Sequence, residues 1–323
     1  MKLLVLLPRV PWPLEKGDKL RAFNHIRFLA KDNEIVLCAI NEGPLHPDAL
    51  KNLRPYCHSM HILNISRFSI GINIFKALFK GIPFQTGYFY NSHVRREIDK
   101  VIETEKPDHI FCQLLRVAEY VKHQPIPKTL DYQDVFSKGI QRRIGKSKFY
   151  MRPLLKEEYR RLLRYEKELF GLFDHKTIIS RPDRDLIPHP NRDQIHIIPN
   201  GVDTDFFKPT YREKKYEMVF IGNMGYPPNV NAAEFLANEI LPEVQKSKPG
   251  ARLMLAGATP DKRVTALKSE HVDVTGWVDD IRECYAAARI FIAPMQIGTG
   301  LQNKLLEAMA MRIPSITSPL ANS

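Results

Sequence analysis

Near the end of the chain, a Gly-Thr-Gly turn separates an apolar segment from a helix that carries a lysine and a glutamate one turn apart. Gly298 and Gly300 let the backbone approach a ligand closely, and the free N–H groups at a helix start favour an anion. Lys304 would add a positive charge, and Glu307 can accept hydrogen bonds from hydroxyl groups. A sugar nucleotide offers both a diphosphate and a diol. The alternative is a surface i,i+3 pair on an ordinary amphipathic helix.

The turn and its helix belong to a chain in which short apolar segments alternate with helical patterns, which predicts parallel sheets built from βαβ units. In the first half, strands are predicted at 3–7, 34–40, 109–113, 128–131, 176–180 and 195–199, and helices at 19–31, 72–80, 93–105 and 153–172. The pattern restarts at Glu217, with strands at 218–222, 252–257, 272–276, 289–293 and 314–317, and helices at 230–247, 261–269 and 279–288. Ligands of such sheets bind beyond the carboxyl ends of the strands, where the candidate motifs lie.

Two domains are expected from the length of 323 residues and from this restart. We predict an α/β fold of two tandem Rossmann-like domains at 1–209 and 210–323, with a polar linker at 208–215. A second domain of this type would continue for about two more βα units, on the order of 60 residues. We therefore expect it to be C-terminally incomplete.

The composition, 44% hydrophobic and 26% charged, is typical of a soluble globular protein. The four cysteines are scattered and accompany no histidine cluster, which favours a reducing compartment and disfavours a disulfide framework or a metal site. The apolar run at the amino terminus is broken by Pro8 and is too short for a secretory signal or a membrane span. The net charge of +12 favours a phosphate-rich partner such as nucleic acid, an anionic membrane or a nucleotide.

The basic excess is concentrated at 138–168, which holds eleven Lys and Arg against four Asp and Glu. Lys156, Arg160, Arg164 and Lys167 recur there at helical spacing, with apolar and aromatic residues between them. One interpretation is a helix that lies on an anionic membrane, and the other is a solvated helix face. No recognised nucleic-acid-binding module accompanies the charge, so nucleic acid is not an expected partner.

The segment 298–311, GTGLQNKLLEAMAM, resembles the donor-site signature of the retaining glycosyltransferases of family four, whose fold is GT-B. The usual pattern is E-x(7)-E followed by A-M-A; Glu307 matches the second Glu, and Thr299 stands at the first. This variant is most similar to the sugar transferases linked to exopolysaccharide export systems. The resemblance implies that 1–209 is the acceptor-side domain, that 210–323 binds a nucleotide-sugar donor, and that a cleft separates them.

The same resemblance gives roles to the donor-side residues. The helix start at Gly300 and Leu301, together with Lys304, would stabilise charge on the leaving diphosphate without a metal. Glu307 would hold the ribose, and Thr299 would contact the donor. Lys304 and Glu307 are accordingly the candidate catalytic residues of this domain.

Two more segments of the second domain match the family. Gly222 and Asn223 follow the first strand of the second domain. Relatives commonly carry an Arg just after this Gly, and that Arg clamps the diphosphate. This chain has Asn223 instead, and the lysine of the 298–311 motif is the nearest substitute for the missing cation. Gly276, Trp277 and Val278 resemble a segment whose backbone contacts the nucleobase and whose aromatic ring can stack on it. The alternative for Trp277 is a core anchor.

On the acceptor side, Gly17 and Asp18 lie in a loop that in the family faces the cleft; the alternative is a Pro-rich loop with Asp18 as a helix N-cap. Asp131 and Asp134 stand where many relatives place a catalytic-face His, and Asp134 is the candidate that would orient an acceptor hydroxyl or stabilise an oxocarbenium-like centre. The alternative is an N-cap and a turn carboxylate. Asn200 opens an N-G-V-D segment typical of the crossing into the second domain, with either a hinge or a substrate-binding role.

The resemblance implies a metal-independent hexosyltransferase that moves a sugar, with retention, from a nucleotide-diphosphate donor to a glycan or lipid-linked acceptor in exopolysaccharide or cell-surface polysaccharide synthesis. No cofactor is expected besides the donor substrate. The expected location is the cytoplasm, with a possible peripheral position on the inner face of the plasma membrane. The alternatives are a non-catalytic sugar-nucleotide-binding relic and a GT-B sugar-nucleotide epimerase. An epimerase would need carboxylates and a His across the cleft, a signature the chain lacks.

Overall fold

The computed structural model describes residues 1–297 and 302–321, apart from the side chains of residues 67–69 and 146. The chain folds as two compact units, Met1–Ile198 and Pro199–Ser323. The boundary lies ahead of the predicted one at 209/210 because the segment after Pro199 belongs to the second unit. Phe207 packs against the core of that unit, and the Arg282 guanidinium donates a hydrogen bond to the Phe206 carbonyl at 3.1 Å.

The first unit is built on a seven-stranded parallel sheet with the strand order β3-β2-β1-β4-β5-β6-β7. Its strands are β1 (Lys2–Leu7), β2 (Glu34–Asn41), β3 (Ser59–Asn64), β4 (His109–Gln113), β5 (Lys128–Asp131), β6 (His175–Ile178) and β7 (His196–Ile197). Its helices are α1 (Gly17–Leu29), α2 (Ala49–Leu53), α3 (Arg67–Lys80), α4 (Phe84–Phe89), α5 (Ser92–Glu105), α6 (Phe136–Lys146), α7 (Arg152–Leu172) and α8 (Arg181–Leu186). Every strand pair is parallel.

Strand β1 shows why the sheet carries a hydrophobic core on each face. Successive residues of a strand point to opposite faces, so Leu4 and Leu6 join one buried cluster while Leu3, Val5 and Leu7 join the other. A strand that is buried on both sides needs a continuous apolar run, which is the pattern of residues 3–7. Helices cover both faces, as expected for βαβ units.

The second unit is built on a five-stranded parallel sheet with the order β10-β9-β8-β11-β12. Its strands are β8 (Tyr216–Ile221), β9 (Leu253–Ala256), β10 (Val272–Val274), β11 (Ala288–Ala293) and β12 (Ser315–Thr317). Its helices are α9 (Pro227–Phe235), α10 (Leu241–Ser247), α11 (Lys262–Thr265), α12 (Ile281–Ala286) and α13 (Asn303–Ala310). A π turn at Leu236–Ile240 joins α9 to α10 and replaces part of the continuous helix predicted at 230–247. The prediction of two Rossmann-like domains in the α/β class is confirmed.

The basic segment 138–168 corresponds to α6 and most of α7. The apolar side of α7 packs into the core of the first unit through Leu162, Tyr165 and Leu169, whereas the predicted stripe of Lys156, Arg160, Arg164 and Lys167 is exposed. The four charges of this stripe therefore face solvent, whereas Leu162, Tyr165 and Leu169 are used inside the protein. Among the described residues, no helix combines the length and the apolar character needed to cross a bilayer.

Candidate functional site

Three glycines close the carboxyl ends of neighbouring strands in the second unit. Gly222, Gly257 and Gly276 follow β8, β9 and β10, respectively. Gly257 has φ of +136°, and a Cβ there would lie 1.9 Å from the Gly222 carbonyl oxygen, so no other residue fits. Gly276 has φ of +68°, and nothing lies within 4 Å of the position its Cβ would take. The close packing of Gly257 against Gly222 thus draws the ends of β9 and β8 together at this edge of the sheet.

Lys304, in the first turn of α13, extends its side chain under this edge. Its Nζ donates a hydrogen bond to Asn229 Oδ1 at 2.7 Å, lies 3.9 Å from the Met295 sulfur and sits 4.4 Å from the centre of the Phe220 ring. A Cβ on Gly222 would come within 3.4 Å of the same ammonium group. A larger residue at that position would therefore press on the Lys304 nitrogen.

The charge of Lys304 is poorly compensated. The side chain is buried, and none of the carboxylates in the described part of the chain lies within ion-pair distance of its Nζ. Burial lowers the pKa of Lys304 to about 7, with the Glu307 carboxylate acting in the opposite direction. Because a buried ammonium costs free energy unless it is paired, an anion bound at this edge would stabilise it.

Glu307 lies one turn after Lys304 and is held by Tyr285. The Tyr285 hydroxyl lies 2.8 Å from Glu307 Oε2 and 2.9 Å from the Lys304 carbonyl oxygen, so one O–H group serves both acceptors. Burial and the Glu307 carboxylate raise the pKa of Tyr285 well above its ordinary value, which keeps the hydroxyl protonated as a donor. Burial raises the pKa of Glu307, and the Tyr285 hydrogen bond and Lys304 oppose the change. The half-buried carboxylate keeps acceptor capacity for a ligand hydroxyl.

The loop after Gly222 is tied together by two asparagines. Asn223 Oδ1 accepts hydrogen bonds from the Gly225 amide at 3.0 Å and from the Thr259 hydroxyl at 3.0 Å. The Asn229 amide nitrogen donates to the Asn223 carbonyl at 2.9 Å, while its oxygen holds Lys304. Asn223 thus shapes the loop after Gly222, and Asn229 links that loop to the lysine.

The remaining predicted donor-side residues lie at or near the same edge. Trp277, next to Gly276, is 63% exposed, so the core-anchor alternative is wrong, and Val278 packs against the core of the unit. The Asn200 amide donates to Asn303 Oδ1 at 3.0 Å and so joins its loop to the start of α13. The predicted residues Thr299, Gly300 and Leu301 lie outside the described residues. The described part of the chain contains no group of three or more His, Cys, Asp or Glu placed to hold a metal ion.

In the first unit, Gly17 and Asp18 begin α1, which follows β1 on the carboxyl side of the sheet. Gly17 is exposed with open space around it. Asp18 is in the first turn rather than at the N-cap, and it pairs with Arg9 at 3.3 Å. An acidic side chain in a first turn interacts favourably with the helix dipole. The simple N-cap alternative for Asp18 is therefore wrong.

Asp131 and Asp134, which are similar in sequence context, have different environments. Asp131 is fully buried; its oxygens accept from Arg21 Nε at 2.9 Å, Arg21 Nη2 at 3.1 Å and the Thr177 hydroxyl at 2.8 Å. Asp134 is exposed, and its Oδ1 accepts from the Val135 amide at 2.7 Å. Asp131 is therefore part of the architecture, whereas Asp134 presents a carboxyl group at the start of α6.

Although Asp134 is exposed as a residue, protein atoms around its carboxyl group displace water and raise its pKa, and the Asp183 carboxylate adds to the rise. Arg116, which follows β4, lies close enough to act on both Asp18 and Asp134. Burial and the Arg9 charge lower the pKa of the Arg116 guanidinium, and these two carboxylates act in the opposite direction. The first unit thus gathers Asp18, Asp134 and Arg116 at the carboxyl edge of its sheet.

Three residues at these sites escaped the sequence analysis: Tyr285, Asn229 and Arg116. Tyr285 lies in α12, beyond the Gly276–Val278 motif, and its buried hydroxyl, bonded to Glu307, marks it in the structure. Asn229 lies in the first turn of α9, and a polar residue between Pro227-Pro228 and Val230 at that helix start was a usable signal. Arg116 lies in a short 3₁₀ helix at Leu115–Tyr120, which the sequence pattern did not predict.

Residues 215–323 match the family model described as Glycosyl transferases group 1. A relative in Klebsiella pneumoniae is described as an uncharacterized 44.6 kDa protein in the cps region. It is 21% identical over an alignment of 329 positions that covers 95% of this chain and 80% of that protein. The family-model match thus covers the sheet, the glycine edge and α13 of the second unit.

Solved structures resemble the whole chain at low sequence identity. Anabaena Alr3699/HepE in complex with UDP and glucose has a TM-score of 0.66 at 13% identity, covering 99% of this chain and 81% of that one. TarM has a TM-score of 0.66 at 10% identity, covering 98% of this chain and 84% of that one. Together with the two parallel sheets, these similarities show the GT-B fold of glycosyltransferases.

Proposed function

We propose that this protein is a glycosyltransferase that moves a sugar from a nucleotide-diphosphate donor to a glycan or lipid-linked acceptor. The observation that carries the proposal is the buried Lys304 ammonium, which lacks a carboxylate partner among the described residues and lies beneath a glycine-lined strand edge. That edge lies in the unit that matches the glycosyltransferase family model. The similar fold of Anabaena HepE was solved with UDP-glucose, which supports a nucleotide-sugar donor.

In this proposal, the donor diphosphate binds beyond Gly222 and supplies the anion that Lys304 lacks. As the glycosidic bond breaks, negative charge grows on the diphosphate, and Lys304 stabilises it together with the amides at Gly300 and Leu301. Glu307, oriented by Tyr285, accepts hydrogen bonds from the ribose. No step requires a metal or another cofactor.

The other proposed contacts follow from position and exposure. Backbone groups at Gly276 and Val278 contact the nucleobase, and the exposed Trp277 ring is available for stacking. In the first unit, Asp134 orients the acceptor hydroxyl. We further propose that transfer proceeds with retention and serves exopolysaccharide or cell-surface polysaccharide synthesis, an assignment supported by the relative in a cps region. The proposed location is the cytoplasm.

Binding of nucleotide sugars is the direct test. We expect Lys304→Ala and Glu307→Ala each to weaken the affinity for the preferred donor by about 1.5–3 kcal/mol, because each removes a charge-assisted hydrogen bond. Calorimetry with UDP-, GDP- and ADP-sugars would identify the preferred base. Lys268→Ala, an exposed lysine of the same unit, is the matched control. Unchanged affinity for both site variants with the fold intact would refute the site.

A non-catalytic sugar-nucleotide-binding protein is the second candidate, because Asn223 stands where relatives commonly carry a diphosphate-clamping Arg. A turnover assay distinguishes the glycosyltransferase from the non-catalytic binding protein. We expect donor consumption and a glycosylated product whose anomeric configuration, read by NMR, equals that of the donor. Tight donor binding without hydrolysis or transfer to any acceptor fraction would favour the binding protein.

The exposed stripe of Lys156, Arg160, Arg164 and Lys167 supports an anionic membrane surface as a further proposed partner. Each Lys or Arg near such a surface contributes about 1 kcal/mol, and the contribution falls within a Debye length. Cosedimentation with anionic vesicles should therefore weaken steeply with salt. Pelleting that is independent of ionic strength would leave a solvated helix face as the role of the stripe.

A further inference from the structure

Helix α3 exposes large apolar side chains on the surface of the first unit. Ile72, Phe75, Leu78 and Phe79 are 40%, 60%, 45% and 79% exposed, respectively. The rings of Phe75 and Phe79 lie edge to face with centroids 5.2 Å apart, as expected for residues one turn apart on a helix. A cluster of exposed rings on one helix is unusual for a soluble surface and marks an interaction site.

The same helix is basic. Residues 67–80 contain one Arg and two Lys and no Asp or Glu. Lys76 and Lys80 line a small cavity of about 80 Å³, together with Asn73, Tyr90 and Ser92. The Lys80 ammonium lies 5.2 Å from the centre of the Tyr90 ring. Ala77, Ile82 and Gly87 complete the lining, so two cations stand at a recess of mixed polarity beside the exposed rings.

A second exposed apolar segment lies at the junction of α6 and α7. It consists of Phe149, Tyr150, Met151 and Leu154, flanked by Lys148 and Arg152. Leu154 is one turn before Glu158 on the same face of α7, and Glu158 accepts hydrogen bonds from the Phe84 and Gln85 amides at the start of α4.

Helix α7 also connects to the end of α3. Arg161, on the same face of α7 as Leu154 and Glu158, donates to the Ala77 carbonyl at 2.7 Å. Arg164 donates to the Gly81 carbonyl, just beyond α3, at 3.2 Å. The segment 149–154 and α3 therefore border the same side of the first unit.

We propose that α3 and the segment 149–154 form a docking surface for an anionic lipid bilayer. Phe75, Phe79 and Phe149 enter the headgroup region, while Lys76 and Lys80 bind lipid phosphates at the recess. Charge complementarity selects this occupant, since exposed rings with basic and no acidic neighbours on the same helix match the chemistry of an anionic membrane surface. The surface supplies the apolar insertion that the middle of α7 cannot, because Leu162, Tyr165 and Leu169 are buried in the core. It holds whether or not the second unit transfers sugar.

Vesicle cosedimentation of the whole chain tests the proposal. We expect binding to vesicles of phosphatidylglycerol and phosphatidylcholine and little binding to phosphatidylcholine alone. Phe75→Ser/Phe79→Ser should weaken binding to the anionic vesicles at least about tenfold, because each ring loses its burial in the bilayer. Lys76→Gln/Lys80→Gln should weaken binding and reduce its salt dependence. Phe28→Ser, at an exposed ring on α1, is the matched control and should bind like the wild type.

The proposal would be overturned if the wild type did not bind anionic vesicles or bound neutral vesicles equally well. It would also be overturned if Phe75→Ser/Phe79→Ser bound anionic vesicles like the wild type, or if Phe28→Ser lost as much binding as that double variant. A wild-type dimer in solution that the double variant converts to a monomer would assign the surface to a second copy of the chain instead. Calorimetry with the nucleotide-sugar donor keeps this test separate from the proposed function. The donor affinity of Phe75→Ser/Phe79→Ser should match that of the wild type.

Discussion

Each of the two units buries a charged side chain near the carboxyl edge of its parallel sheet, but the two charges have opposite surroundings. In the first unit, Asp131 is closed in by a bidentate contact with Arg21 and a hydrogen bond from Thr177. In the second unit, the close neighbours of the Lys304 ammonium among the described residues are the neutral groups of Asn229, Met295 and Phe220. The first charge is neutralised by a carboxylate–guanidinium pair, whereas no carboxylate among the described residues pairs with the second.

Whether a buried charge has a charged partner distinguishes a structural residue from a candidate binding residue more clearly than the residue type does. Removing one member of a buried ion pair leaves an uncompensated charge and is strongly destabilising. Removing a buried charge that has no charged partner relieves a desolvation cost and should spare the fold. Asp131 and Lys304 are thus expected to respond in opposite ways to neutral, similarly sized substitutions.

The largest expected effect is in the first unit. Asp131→Asn should lower the free energy of unfolding by about 3–5 kcal/mol, because the Arg21 guanidinium stays buried without its carboxylate. Urea denaturation of the whole chain, followed by circular dichroism, measures it. Asp134→Asn, at the exposed carboxyl three residues later, is the control and should change stability by less than about 0.5 kcal/mol. Similar losses in both variants would contradict the division between them.

The next prediction concerns the pH dependence of Lys304. Its pKa is lowered to about 7 in the folded protein, so the unfolded chain binds more protons than the folded one between that value and its ordinary pKa. The stability cost of the buried charge is present below about pH 7 and is relieved as pH rises. We therefore expect the wild type to gain stability over Lys304→Met between pH 7 and pH 9, by up to about 1.4 kcal/mol per pH unit.

Donor affinity should change in the opposite direction over the same range. A diphosphate binds the protonated Lys304, so its affinity for the wild type should fall as pH rises from 7 to 9, while Lys304→Met binds weakly throughout. At each pH, the unfolding free energy and the calorimetric donor affinity of Lys304→Met are subtracted from those of the wild type. Cysteines and tyrosines titrate in both proteins, so their contributions cancel in the difference. A flat difference in either quantity would show that Lys304 is ionised or screened like a surface lysine.

Much of this comparison could be predicted from local sequence, and the rest depended on distant contacts. The apolar runs of β1, β2 and β8 and the placement of Lys304 and Glu307 on one helix follow from periodicity. Strand β3 was missed because it lies at the sheet edge and only Leu63 of its six residues is buried, so its pattern is weak.

The two aspartates after β5 show where local pattern ends. Nothing near Asp131 in the sequence distinguishes it from Asp134, because its partner Arg21 lies 110 residues away. The same holds for Glu307, whose partner Tyr285 lies on another helix. Local sequence predicts which residues can do chemistry, but the tertiary contacts decide which of them are already satisfied.

The smallest expected effect sharpens the comparison inside the donor site. Tyr285→Phe removes the O–H that lies between Glu307 and the Lys304 carbonyl, without removing the ring from the core. We expect donor affinity to fall by about 0.5–1.5 kcal/mol, the net contribution of one hydrogen bond. Tyr216→Phe, which removes a hydroxyl bonded to Asp273 on the same sheet, is the control and should leave affinity unchanged.

Two ligands identify the group through which Tyr285 acts. If the hydroxyl orients Glu307 for the ribose, Tyr285→Phe weakens UDP and leaves inorganic pyrophosphate unaffected, since pyrophosphate has no ribose. In a double-mutant cycle with Glu307→Gln, the two substitutions should then be non-additive for UDP. Equal weakening of both ligands would place the effect on the α13 backbone and Lys304 instead. Tyr285 would then support the cation at the strand edge rather than the carboxylate beside it.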